Sequence, residues 1–331
     1  MSRIAVIGAG AWGTALALVL ARGQRHHVRL WAYEEEVCKS IAKNRTNDLF
    51  LPGVTLPAPI EVTNSLPAAL ESAEIVLTVM PSHHARRLFQ QMKTSLPGNT
   101  IVVSATKGIE NGTDKRMTEI AAEVTGVARI AAMSGPSFAK EVARGDPTAV
   151  TVASANAEVA AGIQREFSDP TFRVYTSDDV IGVELGGALK NVIAIAAGIV
   201  EGLNLGHNSA AALITRGLAE MTRLAVACGA RRETLSGLSG MGDLVLTCTG
   251  ALSRNRTVGV ELGRGRKLPE IMAGMHCMVA EGVFTTDAAL GLAKRREIEM
   301  PITEQVHAIL HEEKSPKDAI RELMNRPGKE E

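Results

Sequence analysis

The six-residue sequence GAGAWG at residues 8–13 constrains the fold more than any other feature of this chain. It follows the apolar run at residues 4–7 directly and precedes residues 14–22, whose pattern predicts a helix. A strand, a tight turn and a helix in this order leave the unpaired N–H groups of the first helical turn where phosphates bind. The GxGxxG spacing in this context is typical of a dinucleotide-binding α/β domain of the Rossmann type.

The three glycines each have a physical task in such a turn. Gly8 permits the tight bend, Gly10 lets a pyrophosphate approach the backbone, and Gly13 lets the helix pack closely against the strand. The same glycines argue against a membrane span or a signal peptide, which the absence of charge between residues 4 and 21 would otherwise suggest. Each glycine costs a helix about 1 kcal/mol relative to alanine. We therefore expect no membrane span.

The first half of the chain alternates short β-rich runs with helical stretches, which predicts a mostly parallel sheet with helices on both faces. The predicted strands span residues 4–7, 28–31, 75–79, 100–104, 130–133, 148–153 and 173–176. After residue 177 only helical patterns continue, at residues 180–200, 209–228, 254–262, 285–295, 302–311 and 316–324. A chain of 331 residues accommodates two domains. We therefore predict an α/β fold class, with an N-terminal Rossmann-type domain at residues 1–180 and an all-α domain at residues 181–331.

The charges of the chain balance, with 36 Lys plus Arg against 36 Asp plus Glu, so no overall field favours nucleic acid or an anionic membrane. An anionic ligand must then be bound by a few local side chains or N–H groups at its site, and not by an overall positive charge. The four cysteines, Cys38, Cys228, Cys248 and Cys277, form no CxxC pair, and His276 has no companion at metal-ligand spacing. We therefore expect no metal site. Scattered thiols in a long chain indicate a reducing compartment, the cytoplasm.

The second predicted strand should end near the adenine ribose of a bound dinucleotide. A carboxylate at that point favours NAD, because it binds the 2′-hydroxyl and repels the 2′-phosphate of NADP. Trp31, Ala32 and Tyr33 carry no charge of either sign, and Glu34 follows where the next helix can already have begun. These residues alone leave both cofactors open.

Polar residues follow three predicted strands at their carboxyl ends, where ligands bind on an open parallel sheet. Lys107, between a strand and a glycine, is placed to meet a bound anion, although a surface lysine fits the same pattern. Residues 135–137, with Pro136 in the first turn, predict a helix start whose N–H groups can hold an anion. His83 and His84 follow a third strand, and helix capping or surface exposure explains them better than catalysis.

Lys190 is the most informative single residue, because residues 185–200 contain no other charge and only Asn191 as a second plainly polar side chain. Burying a lone ammonium is costly unless it is paired or made neutral. Desolvation also lowers the pKa of a lysine, which suits proton transfer near neutral pH. The alternative is a lysine that reaches water or pairs with Glu184 or another carboxylate. A dehydrogenase needs a proton donor beside the hydride path, which favours a catalytic role.

The helical half also offers a candidate anion pocket. Asp243 lies in a glycine-flanked turn, and Ser253 and Arg254 follow about ten residues later. Ser253 is placed to cap the next helix, whose N–H groups suit a phosphate or a carboxylate together with the bidentate fork of Arg254. A basic, capped helix end on the surface is the alternative.

Several blocks of sequence closely resemble one family, the bacterial-type NAD(P)-dependent glycerol-3-phosphate dehydrogenases. They run in order across nearly the whole chain: GAGAWGTALA from Gly8, LWAYEEE from Leu30, VMPSHH from Val79, SATKGIE from Ser104, SGPSFAKE from Ser134, GVELGGALKNVIAIAAG from Gly182, LITRGLAEM from Leu213, GMGDLVLTCTG from Gly240, SRNRTVG from Ser253 and EMPITE from Glu299. The resemblance implies a Rossmann domain, a helical second domain and a homodimer. It also implies interconversion of dihydroxyacetone phosphate and sn-glycerol 3-phosphate, usually to supply phospholipid synthesis.

The resemblance further implies roles for individual residues. Lys190 is similar to the family's proton acceptor in the oxidation direction, and so to its proton donor in reduction. The implied substrate contacts are Lys107, Gly135, Ser137, Lys190, Asp243, Ser253, Arg254 and Asn255. The implied cofactor contacts are Gly8, Gly10, Ala11, Trp12, Gly13, Tyr33, Lys107, Ala139, Arg254, Val279 and Glu281.

The cofactor implied by the resemblance is NAD(P)H, with NADPH preferred. Tyr33 departs from the family here, because many relatives carry a histidine or an arginine near this position, which could meet a 2′-phosphate. Two other functions stay open. A related β-hydroxyacid or sugar-acid dehydrogenase shares the two-domain plan and a helix lysine, and a non-catalytic dinucleotide sensor needs only the glycine-rich turn.

Overall fold

The structure, a computed structural model, describes residues 2–275 and 279–328. The described residues divide into two compact units. The sheet unit comprises the chain up to residue 107 and residues 115–184. The helical unit comprises residues 108–114 and the chain from residue 185 onward. The short segment 108–114 therefore groups with the helices although it follows a strand in sequence.

The sheet unit is built on an eight-stranded sheet in the order β10-β9-β8-β7-β6-β1-β2-β5, with β3 and β4 forming a separate antiparallel pair. All neighbours in the large sheet are parallel except β8 and β9. The strands are β1 (Ser2–Ile7), β2 (His26–Trp31), β3 (Thr46–Asn47), β4 (Leu51–Thr55), β5 (Ile60–Thr63), β6 (Ile75–Thr78), β7 (Ile101–Ser104), β8 (Ile130–Ser134), β9 (Thr148–Ala153) and β10 (Phe172–Ser177). The predicted fold class, a mostly parallel Rossmann-type sheet followed by helices, is confirmed.

Helices connect the strands of the sheet unit. They are α1 (Ala11–Ala21), α2 (Glu35–Asn44), α3 (Leu66–Leu70), α4 (Ala85–Met92), α5 (Met117–Thr125), α6 (Ala139–Arg144) and α7 (Ala157–Phe167). The first of them explains the uncharged stretch noted in the sequence, because every residue from Gly13 to Ala21 is buried. A helix that is apolar on all sides belongs in a core or in a membrane, and α1 belongs to the core of the sheet unit.

The helical unit contains α9 (His207–Ala227), α10 (Arg232–Ser236), α11 (Asp243–Thr249), α12 (Arg254–Gly263), α13 (Leu268–Gly274), α14 (Glu281–Arg295), α15 (Pro301–His311) and α16 (Pro316–Met324). The long helix α8 (Val180–Gly202) begins in the sheet unit and continues into the helical unit. No strand lies in residues 185–275 or 279–328. Helix α14 begins four residues before its predicted start. The prediction placed the start too late because no residue next to Glu281 is a typical helix cap.

Helix α8 is the one helix in the described residues that is long and apolar enough to cross a membrane, with a mean hydropathy of 1.6 over its most apolar window. Of that window, 89% is buried inside the protein, as in the core helix of a globular protein. The apolar character of α8 is therefore explained by packing within the fold.

Glycines let α8 and α12 cross at very short distance. A Cβ atom on Gly198 of α8 would lie 2.0 Å from the carbonyl oxygen of Arg256, and one on Gly259 of α12 would lie 2.0 Å from that of Ile195. Both distances are far below van der Waals contact, so only glycine allows this backbone approach. The crossing fixes the start of α12 with respect to the middle of α8, where Lys190 is located.

Candidate active site

The turn between β1 and α1 has the shape of a phosphate cradle. Gly8 has a φ of +121°, which side chains rarely adopt, and a Cβ atom on Gly13 would lie 1.8 Å from the Gly8 carbonyl oxygen. The tight bend and the close helix packing predicted for these two glycines are therefore both present. A Cβ atom on Gly10 would meet nothing within 4 Å, so open space lies at the residue that precedes α1.

This open space suits the pyrophosphate of a dinucleotide. The first turn of α1 contains no acidic residue and receives no side-chain cap, so its N–H groups remain for a ligand. The indole N–H of Trp12 is buried and finds no acceptor among the described residues. The chemistry and shape of the turn thus fit the cofactor that the sequence predicts.

The carboxyl end of β2 lies beside this turn, because the N–H of Gly8 donates to the carbonyl oxygen of Trp31 at 3.1 Å. Tyr33 follows two residues later and is 69% exposed, with its ring edge-on to that of Trp31 at a centroid distance of 6.1 Å. Glu34 is the residue that precedes α2, so its side chain stands at the helix boundary and not inside the helix.

Three predicted substrate contacts meet at the carboxyl ends of β7 and β8. The Nζ atom of Lys107 donates to the carbonyl oxygen of Gly135 at 2.9 Å and lies 3.4 Å from Oγ of Ser137. Ser137 in turn donates to the same carbonyl oxygen at 2.9 Å. Lys107 is half-buried and is held against the loop at Gly135 by its own hydrogen bond to that carbonyl oxygen.

The predicted helix start at residues 135–137 is wrong in position, because α6 begins at Ala139 with Phe138 before it. Gly135 has a φ of +150°, and the Ser137 side chain closes a turn on the Gly135 carbonyl. These contacts hold residues 135–137 in an irregular loop, and Pro136 therefore precedes the helix. Ala139, a predicted cofactor contact, is the first residue of α6.

Lys190 lies in the middle of α8 and is only 6% exposed. Its Nζ atom donates to Oδ1 of Asp243 at 2.7 Å and to Oγ1 of Thr247 at 2.6 Å. The predicted burial is therefore present and the ammonium has a carboxylate partner. The expected alternative, a lysine paired with Glu184 or another carboxylate, is therefore present with Asp243 as the partner. Glu184 is not that partner, because its carboxylate accepts from Arg116 at 2.6 Å and from the backbone and side chain of Thr118.

Asp243 reaches Lys190 from the first residue of α11, directly after a π-helical turn at Leu238–Gly242. Gly186 of α8 lets this turn approach closely, since a Cβ atom there would lie 2.6 Å from the Ser239 carbonyl oxygen. Asp243 is 1% exposed. A buried carboxylate facing a buried ammonium is retained only with good geometry and further hydrogen bonds, and Thr247 supplies one of these to the ammonium.

Sequence reasoning missed Thr247, which lies one helical turn after Asp243. Its hydroxyl accepts from Lys190 and donates to the Asp243 backbone carbonyl at 2.6 Å. The i, i+4 spacing from Asp243 is the signal that could have identified it. The neighbouring Cys248 is also buried, and burial raises the pKa of its thiol to about 12. Cys248 therefore carries no thiolate near neutral pH and is not a nucleophile.

A second hydrogen-bond network lies beside Lys190 and begins at Asn191, the next residue of α8. The side chain of Asn255 donates to Oδ1 of Asn191 at 2.8 Å and accepts from the N–H of Gly282 at 2.9 Å. Gly282 allows close packing, since a Cβ atom there would lie 2.6 Å from the Asn191 carbonyl oxygen. This network joins α8, α12 and the start of α14. Asn191 is a second residue that was not among the contacts predicted from the sequence.

The start of α12 matches its prediction. Ser253 precedes the helix, and its Oγ atom accepts from the N–H of Arg256 at 3.2 Å, which confirms the predicted cap. Arg254 is the first residue of α12 and is exposed. Glu281 is the first residue of α14, and the half-buried Val279 lies just before it.

His83 and His84 form a short turn after β6 and are exposed, with ring centroids 4.0 Å apart. Neither caps the following helix through its side chain. Burial of part of the ring, reinforced by the neighbouring His84, lowers the pKa of His83, and burial with Arg87 nearby lowers that of His84. Within residues 2–275 and 279–328, no group of three or more His, Cys, Asp or Glu is arranged to hold a metal ion. His276 and Cys277 lie outside the described residues.

Known proteins resemble the chain over its full length. The family models described as the N-terminus and the C-terminus of NAD-dependent glycerol-3-phosphate dehydrogenase match residues 3–160 and 179–321. The NAD(P)+ glycerol-3-phosphate dehydrogenase of Koribacter versatilis is 68% identical over 330 residues, covering 99% of this chain and 98% of that protein. The enzyme of the same name from Acidobacterium capsulatum is 57% identical over 339 residues and both chains are covered completely. A crystal structure of glycerol-3-phosphate dehydrogenase from Coxiella burnetii superimposes with a TM-score of 0.95 at 44% identity, covering 98% of this chain and 99% of that one. The chain therefore belongs to the NAD-dependent glycerol-3-phosphate dehydrogenase family.

Proposed function

We propose that this protein reduces dihydroxyacetone phosphate to sn-glycerol 3-phosphate with NAD(P)H and so supplies glycerophospholipid synthesis. One observation carries the proposal: the buried ammonium of Lys190 is hydrogen-bonded to the Asp243 carboxylate and the Thr247 hydroxyl. Reduction of a ketone requires a proton donor at the oxygen that gains charge. A dinucleotide sensor has no use for such a group, and membership of the family supplies the substrate.

The glycine-rich turn is proposed to hold the cofactor. The N–H groups at the start of α1 and the open space at Gly10 receive the pyrophosphate. When bound, NAD(P)H supplies the hydride that adds to C2 of the substrate. The proposed cofactor contacts are Gly8, Gly10, Ala11, Trp12, Gly13, Tyr33, Lys107, Ala139, Arg254, Val279 and Glu281.

The start of α12 is proposed to bind the substrate phosphate. The guanidinium of Arg254, the first residue of α12, offers a bidentate fork, and the first N–H groups of α12 add dipolar attraction. The Ser253 hydroxyl accepts from the N–H of Arg256 and keeps its own proton for a phosphate oxygen. In the sheet unit, Lys107, with Gly135 and Ser137, is proposed to contact the substrate as well.

Lys190 is proposed to move the proton. As C2 accepts the hydride, an N–H bond of the ammonium breaks and an O–H bond forms on the developing alkoxide. Asp243 accepts a hydrogen bond from the ammonium and orients a substrate hydroxyl, while Thr247 and Asp243 together position the Nζ atom. In the oxidation direction the neutral amine accepts the proton of the C2 hydroxyl.

We also propose that the protein acts in the cytoplasm as a homodimer. The cysteines at positions 38 and 248 are free thiols, as expected in a reducing compartment. The dimer follows from family resemblance and is tested by sedimentation or light scattering of the purified protein.

The experiment that tests the function is the Lys190→Ala variant, assayed by loss of NAD(P)H absorbance with dihydroxyacetone phosphate. We expect kcat to fall by about 1000-fold, because general acid catalysis of this kind contributes about 10²–10⁴-fold. Affinity for the cofactor should stay near that of the wild type. The control is Lys294→Ala, which removes an exposed lysine of α14 and should leave kcat unchanged. Near-normal turnover by Lys190→Ala would contradict the proton-transfer role.

A further inference from the structure

A second concave site lies in the sheet unit, at the other end of β2 from the glycine-rich turn. It is a cavity of about 740 Å³, within the range of about 300–1,000 Å³ that is usual for small-molecule sites. Arg25 lines it and directly precedes β2, whereas Trp31, the last residue of β2, contacts Gly8. A strand of six residues is about 16 Å long, so the cavity is separate from the proposed cofactor site.

Three segments of the chain line this cavity, which we name the arginine cavity. They are residues 22, 23 and 25 after α1, residues 143–145 at the end of α6, and residues 168–171 before β10. The cavity is thus formed where the ends of two helices meet the beginning of a strand. None of these residues is among the predicted cofactor or substrate contacts.

Arg22 builds one wall of the arginine cavity. Its guanidinium donates to the carbonyl oxygens of Val142 and Ala143 at 2.6 and 3.2 Å and to Oγ1 of Thr171 at 2.9 Å. It also lies 3.4 Å from Oδ2 of Asp169. These contacts occupy both Nη atoms and join the end of α6 to the segment before β10. They also cover carbonyl oxygens at the negative end of α6, which would otherwise repel an anion.

Asp169 is the one acidic group among the described residues that line the cavity, and its charge is compensated within the wall. Its side chain is 5% exposed, and Oδ2 faces Arg22. Its Oδ1 atom accepts from the N–H groups of Thr171 and Phe172 at 2.6 and 2.7 Å and from the Thr171 hydroxyl at 2.9 Å. Three arginines against this one carboxylate give the lining a net charge of +2, in a chain whose formal charge is zero.

The other two arginines of the lining have donors to spare. Arg25 is exposed and makes one side-chain hydrogen bond, to the Ser168 carbonyl oxygen at 2.7 Å. Arg144 is 65% exposed and pairs with Asp146, and exposed ion pairs of this kind contribute little stability. Each guanidinium carries five N–H donors in a planar fork that matches a phosphate. The two come from different segments, so a ligand between them is bound from two sides.

Two glycines contribute lining without side chains. Gly23 and Gly145 have φ values of +73° and +89°, which side chains rarely adopt. A Cβ atom on Gly23 would come no closer than 3.9 Å to the Nε atom of Arg25, and one on Gly145 no closer than 3.7 Å to Nη2 of Arg22. The space beside both glycines is therefore open. Pro170 and the methylene stems of the arginines add apolar surface for the uncharged body of a ligand.

We propose that the arginine cavity is a second anion-binding site, which takes a small organic phosphate monoester. A phosphate group presents three acceptor oxygens and can be bound by two arginine forks at once, whereas one fork already satisfies a carboxylate. The volume of the cavity leaves room for an organic group beside the phosphate. The site uses none of the groups assigned to catalysis, so this inference goes beyond the proposed function and does not depend on it.

The first test is calorimetric titration of the full-length protein with glucose 6-phosphate, a phosphate monoester with an uncharged sugar body. At low ionic strength, where screening is weak, we expect a Kd of about 1 mM or below. Glucose should not bind, because it lacks the phosphate. Succinate, a dianion with two carboxylates, should bind at least about tenfold more weakly. A failure of glucose 6-phosphate to bind, or equally tight binding of succinate, would overturn the proposal.

The second test is the double variant Arg25→Gln with Arg144→Gln. We expect the Kd for glucose 6-phosphate to rise by at least about tenfold, because both forks are removed while the wall built by Arg22 is kept. The matched control is Arg129→Gln. Arg129 is exposed, directly precedes strand β8 and donates to one carbonyl oxygen, that of Asn99, at 3.1 Å. The control should bind glucose 6-phosphate like the wild type, and thermal unfolding should show that both variants are folded.

Competition separates this site from the proposed substrate site. Saturating dihydroxyacetone phosphate should leave the Kd for glucose 6-phosphate unchanged, and the double variant should reduce dihydroxyacetone phosphate at the wild-type rate. Displacement by dihydroxyacetone phosphate, or undiminished binding to the double variant, would place the phosphate elsewhere and refute the arginine cavity as its site. Absence of turnover by the wild type would refute the proposed function and leave the binding result intact.

Discussion

The sheet unit and the helical unit present their functional groups in different ways. At the β1–α1 turn the ligand-facing groups are backbone N–H groups, and glycines at three positions create the space and the bend. In the helical unit they are side chains of α8, α11 and α12, held by hydrogen bonds between groups that are more than nine-tenths buried. A backbone cradle depends on the absence of side chains, whereas a buried polar network depends on the identity of each one.

This difference explains which features were visible in the sequence. A glycine pattern is local, so GxGxxG after an apolar strand predicts both the turn and its ligand. A lysine in an apolar helix can also be recognised from the sequence. Its carboxylate partner cannot, because Asp243 lies 53 residues further along the chain. Glu184, six residues before Lys190, was the local candidate, and it instead caps the start of α5 through Thr118.

The largest effect expected from breaking the backbone cradle is that of Gly13→Ala. Its Cβ atom would lie 1.8 Å from the Gly8 carbonyl oxygen, so the turn must open and the phosphate-facing N–H groups must move. We expect NADH to bind about 100-fold more weakly, a loss of about 2.7 kcal/mol, and the melting temperature to fall. Titration calorimetry and thermal unfolding measure the two effects.

Gly10→Ala is the matched control for that substitution. A Cβ atom at Gly10 meets nothing within 4 Å, so the fold should tolerate it and the melting temperature should stay close to the wild-type value. The methyl group nevertheless enters the space proposed for the pyrophosphate, and NADH affinity should fall. Unchanged affinity in Gly10→Ala would contradict the proposed position of the cofactor.

A smaller effect is expected from Asp243→Asn, which alters the side-chain network while preserving its shape. The ammonium of Lys190 would then lose the carboxylate that accepts its hydrogen bond, and its protonated form would be disfavoured in a buried place. We expect kcat to fall by about 100-fold and the pH profile of kcat to shift to lower pH, with NADH affinity unchanged. Asp287→Asn, an exposed position on α14, is the control. A loss of NADH affinity equal to the loss of kcat would show that the two units are not functionally separable.

Several parts of the fold were not predictable from local patterns, for reasons that individual residues make clear. The strand β4 contains Pro52 and Gly53, which are unfavourable in strands, so its pairing with β3 was missed. The predicted helix at residues 135–137 ignored that a serine can close a turn on a preceding carbonyl group. Thr247 was missed because its i, i+4 spacing from Asp243 gains meaning only once the Asp243 carboxylate is known to face Lys190. Local sequence patterns therefore predict turns and the buried faces of helices. The hydrogen-bond partners that lie on different helices, as on α8, α11 and α12, are known only from the tertiary structure.

The smallest expected effect concerns His26, a buried side chain at the start of β2 in the sheet unit. Burial lowers the pKa of His26, and the contacts with the Glu166 carbonyl and carboxylate oppose that shift. A base with a lowered pKa in the folded state stabilises the fold fully above its unfolded pKa, near 6.5, and this stability is lost as the pH falls through the folded value. The free energy of unfolding in urea should therefore decrease between pH 7.5 and pH 5.5, a span chosen around the ordinary histidine pKa of about 6.5. His26→Gln keeps a donor for the Glu166 carbonyl and removes the titration, so its decrease over the same span should be smaller. Equal decreases in the free energy of unfolding of the two proteins would mean that protonation of His26 does not contribute to the loss of stability at acid pH.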